Sequence, residues 1–99
     1  MSATRTAAAV GDRAEADAIL AAEGCSGPRP WGNGPGDEYG WHEHPRAKVL
    51  FCLVGSIVFR TDGGDLALEA GDRLDLPAGT WHAATVGASG CECVEAWGP

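Results

Sequence analysis

The stretch GDEYGWHEHPRAKVLFCLVG, residues 36–55, decides how the rest of the chain is interpreted. It contains His42 and His44, which are one residue apart. Residues i and i+2 of a β-strand point to the same face, so a His-x-His pair on a strand directs two imidazole rings toward one point. The third histidine, His82, ends a second distinctive stretch, GDRLDLPAGTWH, and no other histidine is present.

The composition is that of one small globular domain. The chain has 99 residues, of which 44% are hydrophobic and 21% charged, and its 15 glycines and 6 prolines favour an all-β domain with many tight turns. The formal net charge of −7 argues against nucleic-acid binding, which needs clustered Lys and Arg, and is compatible with a small-molecule ligand. No apolar run is long enough for a membrane-spanning helix.

The 4 cysteines do not form a Cys-x-x-Cys pattern. Cys91 and Cys93 share one face of a strand and pair poorly with each other, so we expect small, buried, reduced side chains. Cys52 has the same strand parity as His44 and could line the barrel or simply fill its core. Reduced thiols and the absence of a signal-peptide pattern predict a cytoplasmic protein.

The chain divides into residues 1–30, a tail followed by a short helix, and residues 31–99, a domain of short strands. Asp12 is a candidate helix cap with Glu15 three residues later, and Gly24 is a natural terminator. The Pro- and Gly-rich segment 26–36 is expected to be a loop. Beyond it, turn residues separate short apolar runs at the spacing of a β-sandwich or small barrel. The predicted strands cover residues 41–44, 48–54, 56–60, 65–68, 73–76, 81–86 and 91–97.

Two motifs in this chain resemble the two signature motifs of the cupin superfamily. The first is matched by Gly36, His42, His44 and Gly55, and the second by Gly71, Pro77, Gly79 and His82. The resemblance implies a small single-domain bacterial cupin. Its fold would be an all-β, double-stranded β-helix (jelly-roll) barrel over residues 31–99 with one short N-terminal helix, commonly as a homodimer. Four tryptophans, several of them expected on the outside of the barrel, agree with a dimer interface.

Two positions depart from the motifs. Val86 replaces an Asn whose role in the family is mainly structural. Lys48 stands where the family has a Glu that resembles a fourth metal ligand. A protonated ammonium has no lone pair and repels a dication, so a four-ligand site cannot be transferred to this chain.

His42, His44 and His82 can still form a three-imidazole metal site. Neutral nitrogen ligands favour zinc, iron or nickel over manganese, and three protein ligands leave positions open for water or substrate. The three-histidine, cupin-like thiol dioxygenases resemble this ligand set. The alternative is a relic site, in which the histidines are polar core residues of a barrel without metal.

Lys48, Tyr39 and Glu95 are the candidate substrate-binding residues. Lys48 could extend into solvent, bind an anionic group of a ligand, or pair with an internal carboxylate. Glu95 shares a strand face with Cys91 and Cys93, so it points inward if the cysteines do. An ion pair between Lys48 and Glu95 would then satisfy two charges that are each costly to bury alone. Tyr39 precedes the first histidine and could reach a ligand at the rim or merely pack in its loop.

These features leave three functions open. The first is a metal-binding enzyme, a dioxygenase, isomerase or lyase, acting on a small polar or anionic molecule. The second is a non-catalytic ligand-binding or sensor module, and the third is a structural dimer without ligand.

Overall fold

A computed structural model describes residues 2–99 of the chain. It contains one helix, α1, and seven strands, β1 to β7. In chain order they are β1 Thr4–Thr6, α1 Arg13–Ala22, β2 Ser26–Asn33, β3 Glu38–His42, β4 Lys48–Thr61, β5 Gly64–Glu69, β6 Arg73–Leu76 and β7 His82–Trp97. The predicted all-β architecture with one short N-terminal helix is confirmed. Among residues 2–99, no helix has the length and apolar character of a membrane span.

The two long strands, β4 and β7, pair with each other and organise an antiparallel sheet. The strand order is β1-β6-β4-β7-β2, with β5 also paired to β4 and β3 to β7. A hairpin at residues 61–64, between the predicted strands 56–60 and 65–68, joins β4 to β5, with Thr61 opposite Gly64. Because β7 pairs with β2, β3 and β4, it brings His82 and Glu95 next to strands that are distant in sequence.

Helix α1 forms where the capping signal predicts it. The Asp12 carboxylate accepts a hydrogen bond from the backbone N–H of Glu15 at 2.9 Å, which satisfies one free amide of the first turn. The helix buries Ala16 and Leu20 against the outer face of the sheet, and Gly24 follows its C-terminal cap with a φ of 76°.

Apolar residues pack in two layers on either side of the sheet. One core fills the barrel, and the other lies between the sheet and α1. The inner core includes Leu50, Cys52, Ile57, Phe59, Leu68, Leu74, Val86, Cys91 and Cys93. Cys52, Cys91 and Cys93 are therefore buried, as expected, and Val94 and Ala96 of the same strand face the helix.

Two segments of the N-terminal region are more ordered than the sequence indicates. Residues 26–33, predicted as a loop, form β2, an edge strand that tolerates its prolines because it pairs on one side only. The first residues, expected to be a loose tail, include β1. The buried Asp72 carboxylate helps to hold this end, since it accepts hydrogen bonds from Arg5 at 3.0 and 3.1 Å and from the Ala8 amide at 3.0 Å. The division of the chain at residue 31 stays a prediction.

Three strand limits also differ from the prediction. β3 ends at His42, so His44 lies beyond the strand, and β7 continues through the predicted loop at residues 87–90. β4 continues through Gly55, where φ is 75° and an added Cβ would lie 2.0 Å from the Gly90 carbonyl oxygen. A glycine at this position lets the two long strands cross closely at an irregular step of their pairing.

Candidate functional site

The three histidines lie together at one end of the barrel. His42 ends β3 and pairs with His82, the first residue of β7, while His44 lies in the β3–β4 connection. Ligand-capable atoms of all three lie within 4.8 Å of one another. The ring centroids are 4.3 Å apart for His42 and His82, 4.8 Å for His42 and His44, and 5.2 Å for His44 and His82.

Backbone carbonyls orient two of these rings. The Nδ1 atoms of His42 and His82 lie 2.6 Å from the Gly40 oxygen and 2.8 Å from the Thr80 oxygen. A carbonyl only accepts, so each Nδ1 carries the proton and each Nε2 keeps its lone pair. This is the arrangement that metal-binding histidines use, in which one ring nitrogen donates to a carbonyl and the other binds the ion.

The third ring, His44, has a different environment. Its Nε2 lies 3.5 Å from the Lys48 ammonium, and its edge meets the Trp97 ring at a centroid distance of 5.8 Å. Burial, followed by the charge of Lys48, lowers the pKa of His44 to about 4. Burial also lowers the pKa of His82. Both rings are therefore neutral at neutral pH, the form that binds a metal ion.

The predicted ion pair between Lys48 and Glu95 is confirmed. Lys48 Nζ lies 2.8 Å from a Glu95 carboxylate oxygen, and the two side chains are only 13% and 9% exposed. The other Glu95 oxygen accepts a hydrogen bond from the Trp31 indole at 2.8 Å. The ammonium also lies 4.9 Å from the centroid of the Trp97 ring, a cation–π contact. Lys48 is thus a paired internal cation and does not extend into solvent.

Tyr39 lies at the rim, half exposed. Its hydroxyl donates a hydrogen bond to the Asn33 side chain, and its ring meets the Trp31 ring edge-on at 5.8 Å. Burial raises the pKa of the phenol, so it is protonated at neutral pH. Tyr39 therefore lies on a strand, β3, and not in the expected loop. It packs against β2 and also lines the cavity, where it could contact a ligand.

All six predicted site residues line one cavity of about 280 Å³. Its lining combines apolar side chains with the histidines and the ion pair. The lining consists of Arg29, Trp31, Tyr39, His42, His44, Lys48, Leu50, Phe59, Leu74, Leu76, His82, Ala84 and Glu95. Arg29 and Trp31 were not predicted as site residues, because both lie in the segment expected to be a loop. The two residues flank Pro30 and share a face of β2, but no local pattern marks this segment as a strand.

Two tryptophans that precede histidines in the sequence lie outside this cavity. Trp41 and Trp81 stack on each other with centroids 6.3 Å apart, and they are 46% and 47% exposed. Neither ring lines the cavity, in agreement with the expectation that several tryptophans lie on the outside of the barrel. Strand alternation accounts for Trp41, whereas Trp81 lies just before β7.

The antiparallel barrel with a histidine cluster at its mouth defines the class of protein, a double-stranded β-helix barrel. The family model described as Cupin domain matches residues 33–95, more than half of the chain. The chain therefore belongs to the cupin family. A comparison with curated protein sequences found no match.

Solved structures agree with this assignment. A cupin-2 domain protein from Shewanella frigidimarina has a TM-score of 0.63 and 19% identity, over 73% of this chain and 69% of that one. KdgF from Halomonas sp. has a TM-score of 0.65 and 19% identity, over 73% and 68%. At this identity the two structures show the fold alone, which confirms the predicted double-stranded β-helix.

The DMSP lyase DddQ from Ruegeria pomeroyi is also similar. It has a TM-score of 0.67 and 25% identity over 73% of this chain. The match spans only 37% of the length of that lyase.

Proposed function

We propose that this cupin binds one divalent transition-metal ion through His42, His44 and His82 and uses it to act on a small polar or anionic molecule in the barrel. The observation that carries the proposal is the convergence of three imidazoles within 4.8 Å, two of which have Nδ1 tied to a backbone carbonyl. That arrangement leaves ring nitrogens with free lone pairs directed at a shared point.

The donor set fits a metal of intermediate softness. Three neutral nitrogens favour zinc, iron or nickel over manganese, and Lys48 supplies no ligand oxygen. A bound ion of this kind would act as a Lewis acid or oxygen activator. Glu95 neutralises Lys48 at 2.8 Å, which reduces the repulsion between the ammonium and a cation on the histidines.

The surrounding residues would bind and orient the substrate. Tyr39 presents a protonated phenol at the rim, and the Lys48–Glu95 pair adds charged groups to the mostly apolar lining. A reaction of the dioxygenase, isomerase or lyase type fits a metal with open positions beside such a cavity. The similarity to a DMSP lyase supports a small-molecule enzyme of this kind.

Metal analysis tests the proposal. Protein purified without a nickel column, from cells supplied with zinc and iron, should contain one metal ion per chain by elemental analysis. The variant His82→Ala should lose most of it. Cys25→Ser is the matched control, because it removes a half-buried thiol that could bind metal adventitiously, and it should keep the ion.

The other outcomes separate the alternatives. Wild-type protein without stoichiometric metal would support the relic barrel and refute the proposal. Stoichiometric metal without oxygen uptake or turnover on any small organic acid or sugar acid would favour a binding or sensor module over an enzyme.

We further propose that the chain is a cytoplasmic homodimer. The exposed Trp41–Trp81 stack supports an interface, and four free cysteines support a reducing compartment. Sedimentation velocity that finds only monomer at micromolar concentration would contradict the dimer.

A further inference from the structure

The charged side chains that line the cavity carry more positive than negative charge. Among its lining residues, Arg29 and Lys48 are cations and Glu95 is the one carboxylate. An adjoining hollow of about 250 Å³, lined in part by His44 and Trp97, contains the same three charged side chains. The side chains that the two spaces share therefore carry a net positive charge, although the whole protein has a formal net charge of −7.

Lys48 is not the source of this excess. It is only 13% exposed and lies 2.8 Å from Glu95, while Trp31 occupies the second oxygen of that carboxylate. If a ligand broke the ion pair by binding Lys48, the buried Glu95 carboxylate would lose its nearest cation. Leaving a buried charge unpaired is costly.

Arg29 is the cation that remains available. It lies opposite Glu95 in the β2–β7 pairing, but the nearest contact is a long one, 3.7 Å from its Nε, and the side chain is 71% exposed. Glu95 is buried, but the exposed Arg29 side chain holds it only at this long distance, so the guanidinium can move away with little loss. The contact does not use the two terminal amino groups of the guanidinium, which form a planar fork that matches a carboxylate.

We propose that the ligand of this cavity is a short organic carboxylate, and that Arg29 binds its carboxylate at the rim. The inference rests on the proposed function, since the other end of the ligand would lie at the histidines. The volume of about 280 Å³ limits the ligand to a small molecule. The carbon chain would contact the apolar side chains of the lining, which are Leu50, Phe59, Leu74, Leu76 and Ala84.

Binding measurements with matched probes test this assignment. Glycolate, 3-hydroxypropanoate and 4-hydroxybutanoate are titrated against their neutral amides by calorimetry, with zinc-loaded and with metal-free protein. At least one carboxylate should bind about tenfold more tightly than its amide, which is the size of effect of one charge-assisted hydrogen-bonded contact. Arg29→Gln should remove that preference in both forms of the protein and leave the affinity for the amide unchanged.

Two further variants control for charge and geometry. Arg13→Gln removes another exposed cation, one that pairs with Asp17 on α1, and should keep the full preference. Arg29→Lys keeps the charge but not the planar fork, so an intermediate preference is expected. Thermal melting of each variant checks that the fold is intact.

The result that overturns the assignment is clear in either metal state. Three results would refute it: Arg29→Gln binds the carboxylates as the wild type does, the wild type shows no preference for the carboxylate over the amide, or no probe binds. If zinc does not bind, the proposed function fails, but the metal-free titration still decides the role of Arg29.

Discussion

Replacing Glu95 with glutamine should destabilise the protein strongly, because it breaks a largely buried ion pair. Glutamine keeps an oxygen that can accept from the Trp31 indole, now 2.8 Å from the Glu95 carboxylate. Its other terminal group is an NH₂, which would face the Lys48 ammonium that now lies 2.8 Å from an oxygen. Two donors would then meet in a partly dry cavity, and the ammonium would lose its counter-charge.

The structure sets the expected magnitude. Breaking one partner of a buried pair costs about 3–5 kcal/mol. Lys48 and Glu95 keep 13% and 9% exposure, so solvent relieves some of the cost and we expect the lower end of that range. Each kcal/mol lowers the melting temperature of a domain of this size by roughly 4–8 °C, which makes the effect easy to measure.

Lys48→Met should cost less than Glu95→Gln. In that variant Arg29, which already lies 3.7 Å from Glu95 and is 71% exposed, can move toward the carboxylate. The double variant Lys48→Met/Arg29→Gln removes both cations and should show the full penalty. Lys48→Met/Glu95→Leu should recover only part of the loss, because Trp31 then has no acceptor for its indole N–H.

Equilibrium urea unfolding, followed by tryptophan fluorescence and circular dichroism, measures these differences. The midpoint should shift while the slope stays constant, since the surface exposed on unfolding is unchanged. A Glu95→Gln variant that loses less than about 1 kcal/mol would mean that the pair behaves as an exposed one. A Lys48→Met variant less stable than Glu95→Gln would refute the compensating role of Arg29.

Two other predictions concern stability. Asp72→Asn should lose about 1–3 kcal/mol in urea unfolding, because the buried carboxylate accepts from Arg5 and from backbone amides. The control Asp17→Asn removes only an exposed i,i+4 pair with Arg13 and should change little. In metal-free protein, the free energy of unfolding should fall as the pH drops from 6.5 toward about 4. Over that interval the unfolded chain protonates its histidines, whereas in the folded protein the pKa of His44 is about 4 and the pKa of His82 is also lowered. A His44→Gln/His82→Gln variant should show a flatter profile over that interval, and an equally steep one would contradict the prediction.

Several parts of the site could be predicted because short-range geometry determines them. Alternation along a strand places Glu95 on the same side as Cys91 and Cys93, and that was enough to predict its contact with Lys48. Pro77 and Gly79 of the second motif form a tight turn before His82, in which the Thr80 amide donates to the Pro77 oxygen at 3.2 Å. His44 lies beyond the end of β3 and still joins the cluster. The same-strand geometry of the His-x-His pair therefore explains only part of why the three histidines meet.

The sequence by itself determined the cupin motifs, the capped helix and the inward face of the last strand, because each depends on residues within a few positions of one another. Only the tertiary structure decided that residues 26–33 form a strand. That segment is rich in glycine and proline and has no apolar alternation, so its conformation follows from pairing with β7. The same pairing places Arg29 opposite Glu95 and so brings a second cation into the cavity. The two residues are too far apart in the sequence for any local pattern to predict this contact.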